Sequence, residues 1–144
     1  MKDIVIHYTD NDTDDLQLFR DAVDRSDKHI SVRTYQTGDD FLKAIKQEEE
    51  KDSIVFLDVN MPCKNGFEVL KEIREIKKMK ELPVIMYSTS NDIQAISKSK
   101  DTGANMYVIK PGSFTDLRKM IQKIAGINWK QFKSPPESFI FDAL

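Results

Sequence analysis

The sequence predicts an α/β fold built on a doubly wound parallel sheet with helices on both faces. Two apolar runs, Ile54-Val55-Phe56-Leu57 and Val84-Ile85-Met86-Tyr87, lack polar alternation, as strands covered on both faces do. Runs of this kind alternate along the chain with patterns of helical spacing, which is the mark of βα units. Each main run also gives way at its C-terminal end to a polar group, and open α/β sheets bind their ligands just outside those ends.

Ile4 to Thr9 reads as the first strand, rich in β formers. It runs into Asp10-Asn11-Asp12-Thr13-Asp14-Asp15, after which Leu16, Phe19, Ala22 and Val23 repeat at helical spacing from near Thr13 to near Arg25. Acids at the start of that helix suit the positive end of its dipole, which explains part of the cluster. Ile30 to Tyr35 alternates as a strand nearer an edge. Gly38-Asp39-Asp40 breaks it, and Phe41, Leu42 and Ile45 form a short helix. The charged run from Lys46 to Asp52 is a solvated helix end and loop.

The strand Ile54 to Leu57 stops at Asp58, and Pro62, Asn65 and Gly66 supply a turn. Asn65 and Gly66 are better placed than Asp58 to cap the next helix, so Asp58 reads as a site residue. Phe67, Leu70, Ile73, Arg74 and Lys77 mark that helix. Leu82-Pro83 turns the chain into the strand Val84 to Tyr87, and Ser88-Thr89-Ser90-Asn91-Asp92 is a polar exit with possible caps. Ile93, Ile96 and Lys100 suggest a weak helix ended by Gly103-Ala104-Asn105. Met106 to Ile109 is the fifth strand, broken by Lys110-Pro111-Gly112. Phe114, Leu117, Met120, Ile121 and Ile124 give the last helix, closed by Gly126. Five βα units fit a flavodoxin-like five-stranded sheet of order 2-1-3-4-5 with right-handed crossovers.

A chain of 144 residues is one domain with a sizeable core. Its charged fraction of 32% and hydrophobic fraction of 40% place it with soluble globular proteins. A formal net charge of −2 gives no general attraction to nucleic acid or to an anionic membrane. The single Cys63 excludes an internal disulfide and a multi-thiolate metal site. The first ten residues carry too short an apolar run for a signal peptide, and nothing approaches the roughly 18 apolar residues that span a bilayer. A cytoplasmic location is therefore expected. The domain is expected to cover residues 1–126. The tail, 127–144, holds Trp129, Phe132, Phe139, Phe141 and Leu144, too many large apolar groups for a disordered segment. It is expected to pack on the domain or on a partner.

Strand exits in a parallel sheet open on one edge, so Asp10 with Asn11 and Asp12, then Asp58, Ser88 and Lys110, should converge. Carboxylate and carbonyl oxygens completed by water suit a hard octahedral cation such as Mg²⁺. A carboxylate can act as a nucleophile and form an aspartyl-phosphate, with a cation, an ammonium and a hydroxyl gripping the phosphoryl oxygens.

On these residues the chain resembles the receiver domain of two-component response regulators, of the single-domain, chemotaxis-regulator-like type. The likeness is carried by the acidic cluster after the first strand, by LDVNMPCKNG with Phe67-Glu68-Val69-Leu70, by PVIMYSTS and by GANMYVIKP, and spans about residues 3 to 125. It implies that Asp58 is the phosphoacceptor, served by a sensor histidine kinase or a histidine phosphotransfer protein. It implies Mg²⁺ held by Asp10, Asn11, Asp58 and the backbone carbonyl of Asn60, with Asp12 a further candidate. Lys110 would pair with the phosphoryl group, Ser88 would be the switch hydroxyl, and Tyr107 the aromatic that follows it. The Lys110-Pro111 bond would be cis. Chemistry would be limited to self-phosphotransfer and self-dephosphorylation, read by a downstream target protein, with no nucleic acid or membrane involved.

Asn11 departs from that family's usual acidic pair and removes one negative charge. It favours an alternative, a pseudo-receiver that acts as a constitutive interaction module. A phosphatase of the haloacid-dehalogenase type is a third reading, opposed by Val59-Asn60, where a second Asp would be needed as general acid.

Overall fold

The computed structural model describes residues 3–47, 52–132 and 139–141. The chain alternates β1 (Ile4–Thr9), α1 (Thr13–Asp24), β2 (Ile30–Tyr35), α2 (Gly38–Lys46), β3 (Asp52–Asp58), α3 (Gly66–Glu75), β4 (Val84–Ser88), α4 (Ile93–Thr102), β5 (Met106–Ile109), α5 (Phe114–Ala125) and β6 (Ile140–Phe141). All six strands are parallel, in the order β2-β1-β3-β4-β5-β6. The five-stranded order expected from the sequence is present, extended by one strand from the tail. A two-residue strand carries no periodic signal, which is why the sequence did not announce it. The tail positions Pro135, Pro136 and Leu144, and most of the charged run 46–52, lie outside the described residues.

The sheet separates two apolar layers. On one face Leu16, Phe19 and Val23 of α1 and Leu117, Met120, Ile121 and Ile124 of α5 close over Ile6, Tyr8, Phe56, Ile85 and Val108. On the other, Phe41, Leu42 and Ile45 of α2 and Val69, Leu70 and Ile73 of α3 cover Val55, Leu57, Val84, Met86 and Tyr107. Successive residues of β3 thus feed opposite layers, and every one from Ile54 to Asp58 is buried. That is the physical content of its unbroken apolar run. The edge strand β2 alternates between half-buried and exposed residues at its start. In α4 only Ser99 is buried and Ile93 is 80% exposed, in keeping with its weak apolar pattern.

Helix starts follow local chemistry. Asp12, Thr37, Asn65, Asp92 and Ser113 each accept backbone N–H bonds as N-caps, and Asn65 forms a capping box with Glu68. Helix α4 ends at Gly103, whose φ of 109° lies in the left-handed region open to glycine.

Several boundaries differ from the sequence reading. β3 begins at Asp52, in the charged run expected to form a loop, because the ladder with β1 already pairs Asp52 with Ile4. Asp58 and Ser88 are the last residues of β3 and β4, because the parallel ladder continues through the pairs Asp58–Tyr87 and Ser88–Ile109. Lys77 lies beyond α3, in a short 3-10 turn over Lys77–Met79. The turn is held by Arg74, whose guanidinium donates to the carbonyls of Gly103 (2.9 Å), Met79 (3.2 Å) and Leu82 (2.8 Å) and to Asn105 Oδ1 (2.8 Å). The Lys110-Pro111 bond is trans, since no cis peptide occurs among the described residues. Trans is the lower-energy isomer even before proline.

Arg74 therefore ties the end of α3 to the start of β4 and the end of α4. Replacing it by Met leaves several half-buried carbonyls without donors, and should cost on the order of 3 kcal/mol. Arg74→Lys should recover less than half of that loss, since an ammonium lacks the planar fork of donors. Urea unfolding of both variants measures the difference.

Candidate functional site

Parallel strands bring the ends of β1, β3, β4 and β5 to one edge of the sheet, and a single ammonium gathers the acids there. Lys110 Nζ lies 2.8 Å from Asp10 Oδ2, 2.9 Å from Asp15 Oδ2 and 3.6 Å from Asp58 Oδ1. Asp10 is 1% exposed and Asp58 8%. Burial works to lower the Lys110 ammonium, but its hydrogen bonds to Asp10 and Asp15 outweigh that and raise it. Asp58 is raised to about 6, by burial first and by the charge of Asp10 second, with Lys110 and the Asn60 backbone N–H opposing.

Asp10 is the most heavily engaged carboxylate. Besides Lys110 it accepts from the Tyr8 hydroxyl and, at 2.9 Å, from the backbone N–H of Asp12. Tyr8 is fully buried, and its hydroxyl is held protonated by burial and then by the charge of Asp10. The Tyr87 ring lies 5.4 Å from Lys110 Nζ, in reach of a cation–π contact. Asp12 spends its own carboxylate on the α1 cap, accepting from the backbone N–H groups of Asp14 (2.9 Å) and Asp15 (3.2 Å). Asn11 and Asn60 are exposed at the rim.

The remaining pair lies on β4 and β5. Ser88 is buried, its carbonyl accepts from Lys110 N–H at 2.8 Å, and its Oγ accepts from Ser90 N–H at 3.1 Å. Tyr107 is buried, and its hydroxyl donates to the Ser90 carbonyl at 2.8 Å. Asp10, Asp58 and Lys110 are thus in direct ionic reach, while Ser88 and Tyr107 are joined through Ser90. Three participants were missed in the sequence. Asp15 looked like a helix-dipole acid, Tyr8 like a strand former, and Ser90 like a cap. The periodicity of α1 puts Asp15 one residue before the buried Leu16, which is the only sequence hint that it faces the sheet edge.

His7 is fully buried, stacks on Tyr35 and shares a 2.9 Å hydrogen bond with the Tyr35 hydroxyl. Cys63 is an exposed loop thiol.

Residues 6–122 match the family described as the response regulator receiver domain. The chain belongs to that family. Among curated relatives, this receiver is 30% identical to the chemotaxis protein CheY-3 of Vibrio cholerae over 112 residues, covering 77% of this chain and 86% of that protein. It is 36% identical over 105 residues to the protein named Probable C4-dicarboxylate response regulator DctR, of Bacillus subtilis, covering 73% of this chain but only 42% of the relative. Two solved structures share the fold over most of their lengths. The Mn²⁺-bound response regulator Rcp1 superimposes with a TM-score of 0.73 at 25% identity, covering 94% of this chain and 99% of its own. The phosphorylated cyanobacterial phytochrome response regulator RcpA gives 0.75 at 27%, covering 92% and 97%. Among the described residues, no helix of this receiver is long and apolar enough to cross a membrane.

The position of Asp58 depends on the turn that follows it. A Cβ on Gly66 would come within 2.4 Å of the Asp58 carbonyl oxygen and 3.0 Å of Met86 Cε. Because the first of these neighbours is backbone, Gly66→Ala must displace the end of β3. We expect a loss of about 1–3 kcal/mol in urea unfolding.

Proposed function

We propose that this receiver is a phosphorylation-dependent binding switch with Asp58 as the phosphoacceptor. The observation that carries the reading is the buried Asp58 carboxylate 3.6 Å from the Lys110 ammonium, beside a second buried acid, Asp10, at the strand exits. In the reaction, an Asp58 oxygen attacks the phosphorus of a phosphohistidine. The P–N bond breaks, an aspartyl P–O bond forms, and the imidazole leaves with its electron pair and takes up a proton. Lys110 carries positive charge to the incoming oxygens, while Asp15 keeps the ammonium at the mouth of the site. Receiver domains take their phosphoryl groups from histidine kinases or phosphotransfer proteins and act on downstream targets. For this chain those partners are a sensor histidine kinase or a histidine phosphotransfer protein, and a target protein.

The donor set fits Mg²⁺. Asp10 and Asp58 are buried acids that repel one another, as the raised Asp58 records, and a cation between them relieves that repulsion. Among the described residues no group of three acids, imidazoles or thiols is arranged to hold a metal. The remaining ligands therefore come from Asn11, the Asn60 carbonyl and water, a composition that Mg²⁺ accepts. When bound, the cation supplies charge neutralisation to the phosphoryl oxygens. Ser88 and Tyr107, joined through Ser90, are the switch: a hydroxyl drawn toward a new phosphoryl group disturbs the hydrogen bond that keeps Tyr107 inward.

Asn11 favours the second reading, a pseudo-receiver acting as a constitutive module. Acetyl phosphate with and without Mg²⁺, read by intact mass, separates the two. We expect a Mg²⁺-dependent gain of one phosphoryl group that is lost in Asp58→Asn; a folded protein that never gains it is the pseudo-receiver. Asn11→Asp restores a charge near the cation, and should lower the Mg²⁺ concentration needed for half-maximal phosphorylation roughly tenfold.

A further inference from the structure

Asp15 belongs to no strand exit, yet its carboxylate reaches the reacting edge of the sheet. It is the third residue of α1, a position from which an acidic side chain commonly turns back to bond the backbone N–H of the N-cap. In α1 that N–H belongs to Asp12 and is already donated to Asp10 Oδ1 at 2.9 Å. The Asp15 carboxylate is thereby released for another partner, and it accepts from Lys110 Nζ at 2.9 Å. Burial first, and then the charge of Asp15 ahead of that of Asp10, push the Tyr87 hydroxyl up, so the Asp15 charge is felt on β4 beneath Lys110.

Lys110 needs a second anchor. Its stem leaves the end of β5, and its ammonium ends beside Asp10, with β4 and β3 between β5 and β1. A lysine stem has many rotamers, and one carboxylate fixes the distance of an ammonium without fixing its direction. Asp10 and Asp15, one after the strand and one on the helix above it, take two of its three N–H donors. The ammonium stays 3.6 Å from Asp58 Oδ1, beyond hydrogen-bonding distance. The nucleophile thus keeps its lone pairs while the cation stands beside it, with the third N–H left for a phosphoryl oxygen.

We propose that Asp15 is a positioning residue that aims the Lys110 ammonium at the phosphoryl group, and so sets both the rate at which Asp58 gains that group and the rate at which it loses it. This rests on the phosphoacceptor reading above. In the gain, an Asp58 oxygen displaces the donor's leaving group at phosphorus. In the loss, a water oxygen attacks the same phosphorus and the P–O bond to Asp58 breaks. The carboxylate keeps the electron pair, and inorganic phosphate departs with both protons of the water. Each step carries the phosphoryl group past the same ammonium, so a misaimed Lys110 slows both.

The test uses the full-length wild type, Asp15→Asn, Asp15→Glu and Lys110→Gln at saturating Mg²⁺, so that a change in cation affinity does not enter. Intact mass follows the gain of a phosphoryl group from acetyl phosphate, and its loss once the donor is removed. Asp15→Asn, equal in size but uncharged, should slow gain and loss by a similar factor, roughly ten- to a hundredfold. Asp15→Glu, which keeps the carboxylate on a longer stem, should recover part of both. In Lys110→Gln, adding Asp15→Asn should leave the rate of loss unchanged, because the group it acts through is gone. A change in gain alone shows a charge that repels the donor and overturns the positioning role, as does a further slowing of loss in the Lys110→Gln background. With ¹⁵N in the lysine side chains, the Lys110 ammonium, identified by its absence from Lys110→Gln, should resonate apart from exposed lysines and move toward them in Asp15→Asn. An unchanged Lys110 resonance overturns the clamp. If Lys110→Gln does not fold by circular dichroism, Lys110→Arg serves the assignment, and the comparison of gain with loss decides. No adduct in the wild type defeats the phosphoacceptor reading and the effect on rates together, and the ammonium resonance still decides whether Asp15 holds Lys110.

Discussion

Three carboxylates from three elements share one ammonium, and the upper edge of the sheet is organised around that contact. Asp10 directly follows β1, Asp15 lies in the first turn of α1 and Asp58 ends β3, yet each is within 3.6 Å of Lys110 Nζ. Buried acids at this spacing repel one another strongly, and removing a partner from such a cluster typically costs about 3–5 kcal/mol. Lys110 reaches them because β5 lies two strands from β3, with β4 between, and because its backbone N–H is fixed on the Ser88 carbonyl. In this arrangement burial, and then the charge of Asp10, oppose the ionisation of Asp58.

The floor beneath this cluster is aromatic. Tyr8, Phe19, Phe56 and Tyr87 meet at centroid distances of 4.5 to 5.6 Å between neighbouring rings, mostly edge to face. Two of these rings carry polar work upward, since Tyr8 donates to Asp10 and Tyr87 lies beneath Lys110. The first strand is more polar than a buried strand needs to be, and the Tyr8 contact supplies one reason. The low-dielectric floor also strengthens every charge interaction above it.

A line of hydrogen bonds leads outward from the site. Ser88, Ser90 and Tyr107 form a short chain of hydrogen bonds from β4 to β5, and Tyr107 then joins the tail through its backbone. Helix α4, beside this route, buries only Ser99 and exposes Ile93, so little packing energy resists its displacement. On the far side, Arg74 locks the end of α3 to the entry of β4 and the end of α4. A firm frame thus borders a weakly held helix and a two-residue strand.

Much of the fold and part of the site were legible in the sequence alone. Helical spacing fixed all five helices, the unbroken runs in β3 and β4 marked central strands, and Asp10, Asp58, Ser88 and Lys110 stood out because each follows an apolar run. These are local signals, set by the 3.6-residue and two-residue periods of the backbone. What depended on contacts between distant segments was not legible. Asp15 faces Lys110 only because α1 packs over the sheet at one particular rotation, and Tyr8 becomes a donor only because the chain turns Asp10 back over it. Arg74 reads as a surface cation until the ends of α4 and β4 are beside it. The tail's aromatics called for burial, but only the free edge of β5 decided that Phe141 would be placed in a sixth strand. Composition and periodicity determine which faces must be covered; the tertiary structure alone decides what covers them, because that choice is made between surfaces remote in sequence.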